Sequence, residues 1–477
     1  MIVDPAVDLA DVQGNILRGY KKRLVRHLVL KVNDAAAARR WLVEATSGDA
    51  ALAPQVTTTA NEEPPTCLNV GMTYAGLDAL RVAPDQLATF PQEFIDGMAA
   101  RAVKLGDTGP SDPCHWKPEW RDPEQVHLVV SIHADVRDRR DETADRVLGA
   151  GGSRAFVELA RLDGERRSDG VVHFGYKDNI AQPHFDNIRN PTDRPDMQPL
   201  VEVGAVLLGY KTPVEDVRWE VPEPREDLGF NGSFGAFRVL EQQVDEFERF
   251  LSASADLMMN SPLAYQSLPP KAEDGWDPPL SRHEALRELV AAKILGRWRN
   301  GVPLVLSPTS PTPDPRVGTN DLNNFDFTTD PDGLSCPMGS HIRRCNPRSA
   351  RIVQRNTNHS RRIVRRGMPY GPLYDPNHPD DGVERGLLGV FICASLVAQF
   401  ESIQYDWMNL GLQDPRITGT NDPVVGNNDP KFSSFTMPAG SSSIELRGFP
   451  RFVHTKGGAY LFLPSIRALR YLGSIHH

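Results

Sequence analysis

Short apolar runs, many of them alternating with polar residues, divide the chain into two similar stretches of strands and helices. In the first stretch the pattern predicts strands at residues 24–32, 67–72, 127–133 and 170–174, with helices at 35–43, 73–80 and 134–149. In the second it predicts strands at 233–240 and 387–396, helices at 244–258, 285–298 and 397–410, and a hairpin over 452–465 that turns at two glycines. This alternation predicts an α+β fold of antiparallel sheets with helices packed on them.

The first stretch follows the order βαββαβ, which is typical of a ferredoxin-like domain, with an insertion around residues 82–125. A chain of 477 residues exceeds what one hydrophobic core usually serves, so we expect two domains, at residues 1–200 and 201–477. Segments rich in proline and glycine are predicted to be ordered loops that wall a pocket; they cover residues 262–279, 303–338 and 367–383.

Composition narrows the function to small-molecule chemistry in the cytoplasm. The 53 basic and 62 acidic residues give a net charge of -9 without a basic stripe, which argues against nucleic-acid binding. No apolar run approaches the roughly 20 residues that span a bilayer, and the N-terminus lacks the pattern of a secretory signal. The five cysteines include no C-x-x-C and no C-x-x-C-H, which argues against a disulfide framework, a zinc finger and covalently attached haem.

Three segments concentrate unusual chemistry: GYKDNIAQPHFD at 175–186, GSHIRRCNPR at 339–348 and RRIVRRGMPYG at 361–371. Taken alone, Asp178 is typical of a turn, His341 of a structural histidine, and the arginines of a solvated or ion-paired surface. Taken together, they supply a metal ligand, a group that can move a proton and a cation that can stabilise negative charge. These are the parts of a haem site that splits peroxide.

Ten motifs, in order and spacing, are similar to those of the dye-decolourising peroxidases in their larger bacterial and fungal-like branch. They are DVQGNILRGY (11–20), NVGMTYAGLDAL (69–80), GYKDNIAQP (175–183), NGSFGAFRVLEQ (231–242), AAKILGRWRNGVPL (291–304), GSHIRRCNPR, VRRGMPYG (364–371), RGLLGVFICASL (385–396), DPVVG (422–426) and GGAYLFLPS (457–465). The resemblance implies two ferredoxin-like domains of the dimeric α+β barrel type, the first contributing a distal aspartate loop and the second holding non-covalent haem b. It also implies a peroxidase that reduces hydrogen peroxide through an oxoferryl intermediate while oxidising organic donors such as dyes and phenols.

The resemblance assigns roles to single residues. His341 matches the proximal ligand of the haem iron, Asp178 the distal aspartate, and Arg365 the distal arginine. We expect Asp422 to accept a hydrogen bond from the second nitrogen of His341, which would raise the basicity of the ligand. Arginine forks suit carboxylates, so three further arginines are expected either at the haem propionates or in structural ion pairs; they are Arg343, Arg344 and Arg366.

Two positions depart from the family pattern. Asn179 follows Asp178 where the family has glycine; asparagine tolerates a left-handed backbone, so we expect the turn to persist. Gly389 stands where the family usually has phenylalanine, beside Leu387 in the expected distal wall, so either the pocket is enlarged or a neighbouring side chain fills the space.

These departures keep two other functions open: a specialised haem oxygenase or peroxygenase with an enlarged distal pocket, and a haem-binding or haem-delivery protein with residual peroxidase activity. The resemblance further implies that bulky dyes are oxidised at surface aromatic residues, and the candidates are Tyr370, Trp407, Tyr405 and Trp298. A homo-oligomer is compatible with the sequence.

Overall fold

The computed structural model describes residues 6–60, 62–149, 155–185, 188, 200–214, 217–268, 272–312, 322–352, 358–379 and 381–475. Within these ranges, no helix combines the length and the apolar character that crossing a membrane requires.

Eight of the ten strands form one antiparallel sheet in the order β4-β1-β3-β2-β10-β5-β7-β6, and β8 and β9 form a separate hairpin. The strands are β1 Leu24–Val32, β2 Thr66–Met72, β3 Leu128–Ala134, β4 Phe156–Glu165, β5 Ser233–Gln242, β6 Val364–Tyr370, β7 Gly386–Cys393, β8 Ser434–Ala439, β9 Ser442–Arg447 and β10 Val453–Leu463. The edge strands β4 and β6 lie side by side, since a Cβ atom at Gly164 would come within 2.8 Å of Met368 Cγ. The sheet therefore curls into a barrel.

The helices cover the outer face of this sheet and fill its connections. They are α1 Gly14–Leu17, α2 Ala35–Glu44, α3 Tyr74–Ala79, α4 Pro84–Leu87, α5 Gln92–Ala100, α6 Ala102–Leu105, α7 Pro118–Arg121, α8 Arg137–Leu148, α9 Val244–Met259, α10 Ala264–Ser267, α11 Arg282–Leu295, α12 His341–Cys345 and α13 Ile466–Ser474. Short 3₁₀ turns occupy Gly109–Ser111, Pro113–His115, Pro123–Gln125, Val203–Ala205, Ala272–Gly275, Phe327–Thr329 and Asn358–Arg361, and π-helical turns occupy Arg225–Gly229, Leu396–Glu401 and Ile403–Asn409.

Burial on both faces of the strands follows from this arrangement. Eight of the nine residues of β1 are buried, because one face points into the barrel and the other is covered by helices. A second apolar core lies between α9, α11 and the β8–β9 hairpin. The predicted α+β fold of antiparallel sheets and helices is confirmed.

Strands β1 to β4 form one half of the sheet and the other four strands form the second half, with β2 and β10 joined through the pair Met72 and Phe462. This pairing of two four-stranded halves agrees with the ferredoxin-like prediction. A domain boundary at residue 200 stays a prediction.

Several local predictions were wrong. The fourth strand is β4, whereas residues 170–174 make only an isolated bridge between Val171 and Lys177. The predicted hairpin over 452–465 is the single strand β10, in which the two glycines follow a bulge. Helix α11 ends at Leu295, because Gly296 has a φ of 98°, so the helix does not reach residue 298. The helix predicted over 397–410 consists of the two π-helical turns.

Candidate active site

A cavity of about 970 Å³ reaches both faces of strands β6 and β7 and brings together six of the nine predicted site residues. They are Asp178, His341, Arg365, Arg366, Leu387 and Gly389. The strand register assigns them to faces: Arg365 pairs with Phe391, and the next residue, Arg366, pairs with Val390. Because neighbouring residues of a strand point to opposite faces, Arg365, Leu387, Gly389 and Phe391 line one side of the sheet. We call the part of the cavity on this side, with His341 and Asp178, the outer chamber.

His341 is held in place by a buried carboxylate. Its Nδ1 lies 3.0 Å from Oδ2 of Asp422, which is fully buried, and Oδ1 of Asp422 accepts the backbone N–H groups of Val424 and Val425 at 2.9 Å each. Burial alone would raise the pKa of Asp422, but the attraction of His341 and these hydrogen bonds outweigh it and hold the pKa below its usual range. Against the effect of burial, the neighbouring Cys345 and Asp422 raise the pKa of His341 well above its ordinary value. Asp422 holds one proton on Nδ1, so Nε2 is the nitrogen that binds a metal after losing its own proton.

Cys345 lies one helical turn after His341, with its sulfur 3.6 Å from Nδ1 and 3.8 Å from Nε2. Ligand atoms of His341, Cys345 and Asp422 all lie within 4.8 Å of one another, so this group is the candidate metal centre of the described residues. Both oxygens of Asp422 are already bonded, which favours Nε2 of His341 as the ligand presented to the outer chamber. A single protein nitrogen is the ligation that haem iron accepts.

Asp178 lies on an exposed turn at the other side of the outer chamber. Its backbone N–H donates to Gly170 O at 3.0 Å, and the following Asn179 has a φ of 60°. The left-handed turn therefore persists with asparagine in place of glycine, as predicted. No hydrogen bond or ion pair within the described residues engages the Asp178 carboxylate, so it is available to a ligand.

Arg365 is tied to the loop that carries Asp178. Its Nη2 donates to Ala181 O at 2.9 Å, and the Gln182 side chain bonds to both its backbone N–H and its carbonyl. Strand β6 is at an edge of the sheet, so these backbone groups have no strand partner on that side. Gln182, which sequence reasoning missed, satisfies them.

Three predicted residues do not line the cavity. Arg343 donates to the Asp330 carboxylate at 3.1 Å and to Cys336 O at 2.8 Å. Arg344 donates to Gly339 O and Thr420 O, both at 2.9 Å. Structural ion pairing, the second of the two expectations for these arginines, therefore describes Arg343, whereas Arg344 is held by backbone carbonyls and the Thr420 hydroxyl and makes no ion pair within the described residues. Neither side chain lines the cavity. The third residue, Asp422, lies behind His341, where its predicted role places it.

Arg366 lines the cavity but on the opposite face of β6 from Arg365. It donates from Nε to Asn15 O at 2.7 Å and from Nη2 to Ile16 O at 3.4 Å. It points into the barrel and lies on the other face of β6 from the residues expected around the haem iron, and its predicted contact with a propionate stays a prediction.

The wall at Gly389 is closed by its neighbour on the same face. A Cβ atom at Gly389 would lie 3.0 Å from Cε2 of the Phe391 ring, and Phe391 itself lines the cavity. The aromatic ring is therefore present on this wall but starts two residues later on the strand. Of the two expectations for this position, the structure matches the one in which a neighbouring side chain fills the space.

A cluster of buried arginines at the cavity was not predicted. Arg297, Arg348 and Arg362 all line it, and burial lowers the pKa of Arg348 to about 8, an effect to which the charges of Arg297 and Arg362 add. Within the described residues no carboxylate lies within 4.0 Å of Arg297 or Arg362, and the buried Nε of Arg362 has no acceptor. Such a cluster calls for an anion, and the two carboxylates of haem would supply it. The residues present thus fit haem.

Two structural features set the position of Arg348 in this cluster: its φ is 54°, and its guanidinium carbon lies 3.6 Å from the centroid of the Phe325 ring. Neither feature can be read from the residue types alone. Of the predicted surface aromatics, Trp298 and Trp407 are buried, Tyr370 donates to Glu384 at 2.7 Å, and Tyr405 is exposed.

Comparisons with known proteins agree with this geometry. Residues 11–168 match the model of the DyP dimeric alpha+beta barrel domain. The dye-decolorizing peroxidase msp1 of Mycetinis scorodonius is 30% identical, over 98% of this chain and 88% of the relative, and the multifunctional dye peroxidase DyP2 of Amycolatopsis is 27% identical, over 98% and 97%.

Solved structures give the same result over the full length. A DyP-type peroxidase from Auricularia auricula-judae superposes with a TM-score of 0.79 at 27% identity, covering 99% of this chain and all of that one. A dye-decolorizing peroxidase in complex with 2,6-dimethoxyphenol superposes with a TM-score of 0.78 at 28% identity, covering 98% and 100%. With the fold, the site and nearly every residue of the chain covered by these matches, the protein belongs to the dye-decolourising peroxidase family of hydrogen-peroxide-dependent oxidoreductases.

Proposed function

We propose that this chain binds haem b non-covalently through Nε2 of His341 and uses it to reduce hydrogen peroxide at the expense of organic donors such as dyes and phenols. The observation that carries the proposal is the pairing of His341 with the buried Asp422 on a cavity that Asp178 and Arg365 also line. When bound, haem supplies an iron that accepts two oxidising equivalents from peroxide and passes them on to donors one at a time. The balance is one peroxide and two hydrogen donors in, two waters and two donor radicals out.

Asp178 and Arg365 have different roles in peroxide reduction. The Asp178 carboxylate takes a proton from one peroxide oxygen and gives it to the other, which leaves as water. Arg365 supplies a fixed positive charge that offsets the negative charge developing on the oxygens as their bond breaks.

The arginine cluster of Arg297, Arg348 and Arg362 orients the cofactor in this proposal. Bound propionates would neutralise the charge of this cluster, in which burial lowers the pKa of Arg348 from its ordinary value.

Donor oxidation is proposed for phenols in particular, because a structural neighbour is a peroxidase solved with 2,6-dimethoxyphenol. Tyr405 is the exposed member of the four aromatic candidates, and we propose it as the surface site for donors too large to enter the cavity. The two other functions considered from the sequence have no comparable support, since the Phe391 ring occupies the space that an enlarged pocket would need.

A reducing compartment is proposed on the basis of the cysteines. All five are free, and Cys345 is half-buried beside His341, where oxidation would disturb the ligand. The cytoplasm provides such conditions. Assembly into a homo-oligomer stays a prediction.

The decisive experiment is reconstitution with haem followed by turnover. The purified chain and its His341→Ala variant are titrated with haemin while the Soret band is recorded, and 2,6-dimethoxyphenol oxidation is then measured with and without peroxide. We expect stoichiometric haem binding and peroxide-dependent oxidation in the wild type, with loss of both in His341→Ala. The matched control is His378→Ala, which removes an exposed histidine. Full haem occupancy with an unchanged spectrum in His341→Ala would overturn the ligand assignment.

A further inference from the structure

The inside of the barrel forms a second chamber of the same cavity, on the opposite face of β6 and β7 from the outer chamber. Arg366, Met368, Leu388 and Val390 point into it, on the face of β6 and β7 opposite Arg365 and Gly389. From the other half of the sheet, β1 contributes Val25 and His27, and β3 contributes Ser131 and His133. We call this space the barrel lumen and define it by these eight residues together with Tyr20.

Contacts between strands that are not neighbours confirm that these side chains meet inside the barrel. The ring of His27 on β1 lies 5.0 Å from the ring of Phe237 on β5. The ring of His133 lies 5.1 Å from that of Tyr20 and 6.4 Å from that of His27. The lining residues named above border the cavity that also includes the outer chamber, so part of the barrel interior is open space.

Polar atoms point into this space with few partners. His27 Nδ1 lies 2.8 Å from Ser131 Oγ, and this is the one side-chain hydrogen bond of either histidine within the described residues. Nε2 of His27 has no protein partner in that part of the chain, and the hydroxyl of Tyr20, in the same lumen, is a buried polar atom without a hydrogen-bond partner there. Burial is the main cause that lowers the pKa of His27 to about 4 and of His133 to about 3, so both rings are neutral at pH 7.

The charge in the lumen is positive and has no counter-charge. Arg366 donates to two backbone carbonyls through Nε and Nη2, and no described residue accepts from its Nη1. Arg166, which donates to Tyr20 O at 3.4 Å, adds a second cation to the same region. Within the described residues, the carboxylates that line the cavity are Asp107, which pairs with Arg238 at 2.6 Å, and Asp178 in the outer chamber. A buried cation without an anion is costly, which makes an anionic ligand favourable here.

The remaining walls are apolar. Val25, Met368, Leu388 and Val390 line the lumen beside the polar groups. One cationic end and apolar sides are what a small organic acid requires: the charged fork binds the carboxylate, and the apolar walls accept its hydrocarbon body.

We infer that the barrel lumen is a second binding site, which takes a small organic carboxylate on Arg366 and the imidazole N–H groups of His27 and His133. The site lies on the opposite face of β6 from the outer chamber, so it is independent of the haem proposal. A ligand in the lumen contacts Arg366. Arg366 directly follows Arg365, the residue that we assign to peroxide chemistry.

Benzoate is the probe, and isothermal titration calorimetry on the haem-free chain and on the haem-loaded chain is the measurement. We expect the haem-loaded wild type to bind one benzoate, in the lumen; the haem-free chain should keep this site and offer the cluster of Arg297, Arg348 and Arg362 as a second anion site. Arg366→Gln should weaken binding at least about tenfold, because a charge-assisted hydrogen bond is lost. The matched control is Arg365→Gln, which removes the neighbouring charge on the other face and should change the affinity less than about twofold.

A second variant and two inorganic anions test whether the lumen is a site for organic carboxylates. His133→Phe replaces the imidazole N–H with an apolar ring of similar size and should weaken benzoate binding at least about tenfold. It also serves as the test if Arg366→Gln does not fold, as judged by circular dichroism. Bromide and nitrate should bind at least about tenfold more weakly than benzoate, because they cannot use the apolar walls. The inference is overturned if folded wild type binds no benzoate, if Arg365→Gln is the damaging variant, if haem loading abolishes binding, or if inorganic anions bind as tightly. Haem affinity is measured separately, so loss of haem binding alone leaves the lumen test intact.

Discussion

Gln182 bonds through its side-chain amide to both backbone groups of Arg365: its Nε2 donates to the Arg365 carbonyl oxygen at 2.9 Å, and its Oε1 accepts the Arg365 N–H at 3.2 Å. The guanidinium of Arg365 reaches back to Ala181 O in the same loop. Three hydrogen bonds thus join the loop that carries Asp178 to the strand that carries Arg365. The two groups assigned to peroxide chemistry are positioned as one unit.

Replacing Gln182 with leucine should therefore slow the reaction with peroxide without removing haem. The backbone at Arg365 loses both bonds, and a misplacement of about 1 Å at a reacting centre can cost up to about a hundredfold in rate. We expect a fall of at least about tenfold in the second-order rate constant, measured by stopped-flow absorbance at the Soret band. Gln86→Leu, which breaks a remote bond to Tyr471, is the matched control. An unchanged rate in Gln182→Leu would show that Arg365 is positioned without this clamp.

Losing Arg365 should be more damaging than losing Asp178. Water can carry a proton in place of the exposed Asp178 carboxylate, whereas nothing else in the described part of the outer chamber occupies the position of the Arg365 charge. We expect the rate constant with peroxide to fall on the order of a hundredfold or more in Arg365→Leu, and less in Asp178→Asn. Stopped-flow measurements on the two variants, at equal haem content, give the ranking. Greater damage in Asp178→Asn would reverse it.

The sequence predicted the parts of the site better than their surroundings. His341, Asp178 and Arg365 could be identified because their motifs are local in the chain. The roles of Arg343, Arg344 and Arg366 depend on which way each side chain points, and that is set by the α12 helix and by the strand character of 364–370, which an arginine-rich run conceals. The π-helical turns and the single long β10 depend on tertiary packing, which no local period of the chain records.

Substitutions at Gly389 and Phe391, in the wall of the outer chamber, should compensate for each other. Because the Phe391 ring occupies the space next to Gly389, Gly389→Phe alone should strain the wall and lower stability by about 1–3 kcal/mol. The double variant Gly389→Phe/Phe391→Ala should recover much of that loss, since it moves the ring and does not add one.

The affinity of the haem-loaded chain for imidazole, measured by optical titration, reports how much open space lies beside Gly389 and Phe391. We expect Phe391→Ala to bind imidazole more tightly than wild type, by about fivefold or more, and the double variant to bind it about as wild type does. Urea unfolding of the same four proteins measures the stability. If Gly389→Phe is as stable as wild type and binds imidazole more weakly, the space at Gly389 is open and the enlarged-pocket function regains its support.

The pair of His341 and Asp422 should control the reduction potential of the bound iron and the rate of peroxide reduction. The carboxylate 3.0 Å from Nδ1 raises the basicity of the ring, so Asp422→Asn should make the bound iron easier to reduce and slow peroxide reduction about 10- to 100-fold. Spectroelectrochemical titration and stopped-flow kinetics measure the two effects. Asp34→Asn removes a carboxylate that accepts the Ala37 N–H at the start of α2, outside the cavity lining, and is the matched control. A more positive potential without a kinetic change would restrict Asp422 to a redox role.

The two histidines of the barrel lumen should make the haem-free protein sensitive to acid. Their pKa values of about 4 and 3 in the folded chain lie below the ordinary 6.5 that they regain on unfolding, chiefly because of burial, and for His133 also because of the charges of His27, Arg366 and Arg166. Below pH 6.5 the unfolded chain binds more protons at these sites than the folded chain does. The free energy of unfolding therefore falls as pH falls from about 6.5 towards 4, by at most ~1.4 kcal/mol per pH unit for each histidine.

His133→Phe should remove one of these two contributions. Its unfolding free energy, obtained from urea titrations of the haem-free chain at pH 7, 6, 5 and 4, should decline less steeply than that of wild type, by up to ~1.4 kcal/mol per pH unit between pH 6 and 4. The comparison of slopes isolates this histidine, because every other titrating group is shared by the two proteins and the added packing of phenylalanine shifts all pH values equally. His378→Phe, at an exposed position, should leave the slope unchanged. Equal slopes in His133→Phe and wild type would mean that His133 becomes protonated in the folded barrel without penalty, and the lumen would then already hold the solvent or anion that such a charge needs.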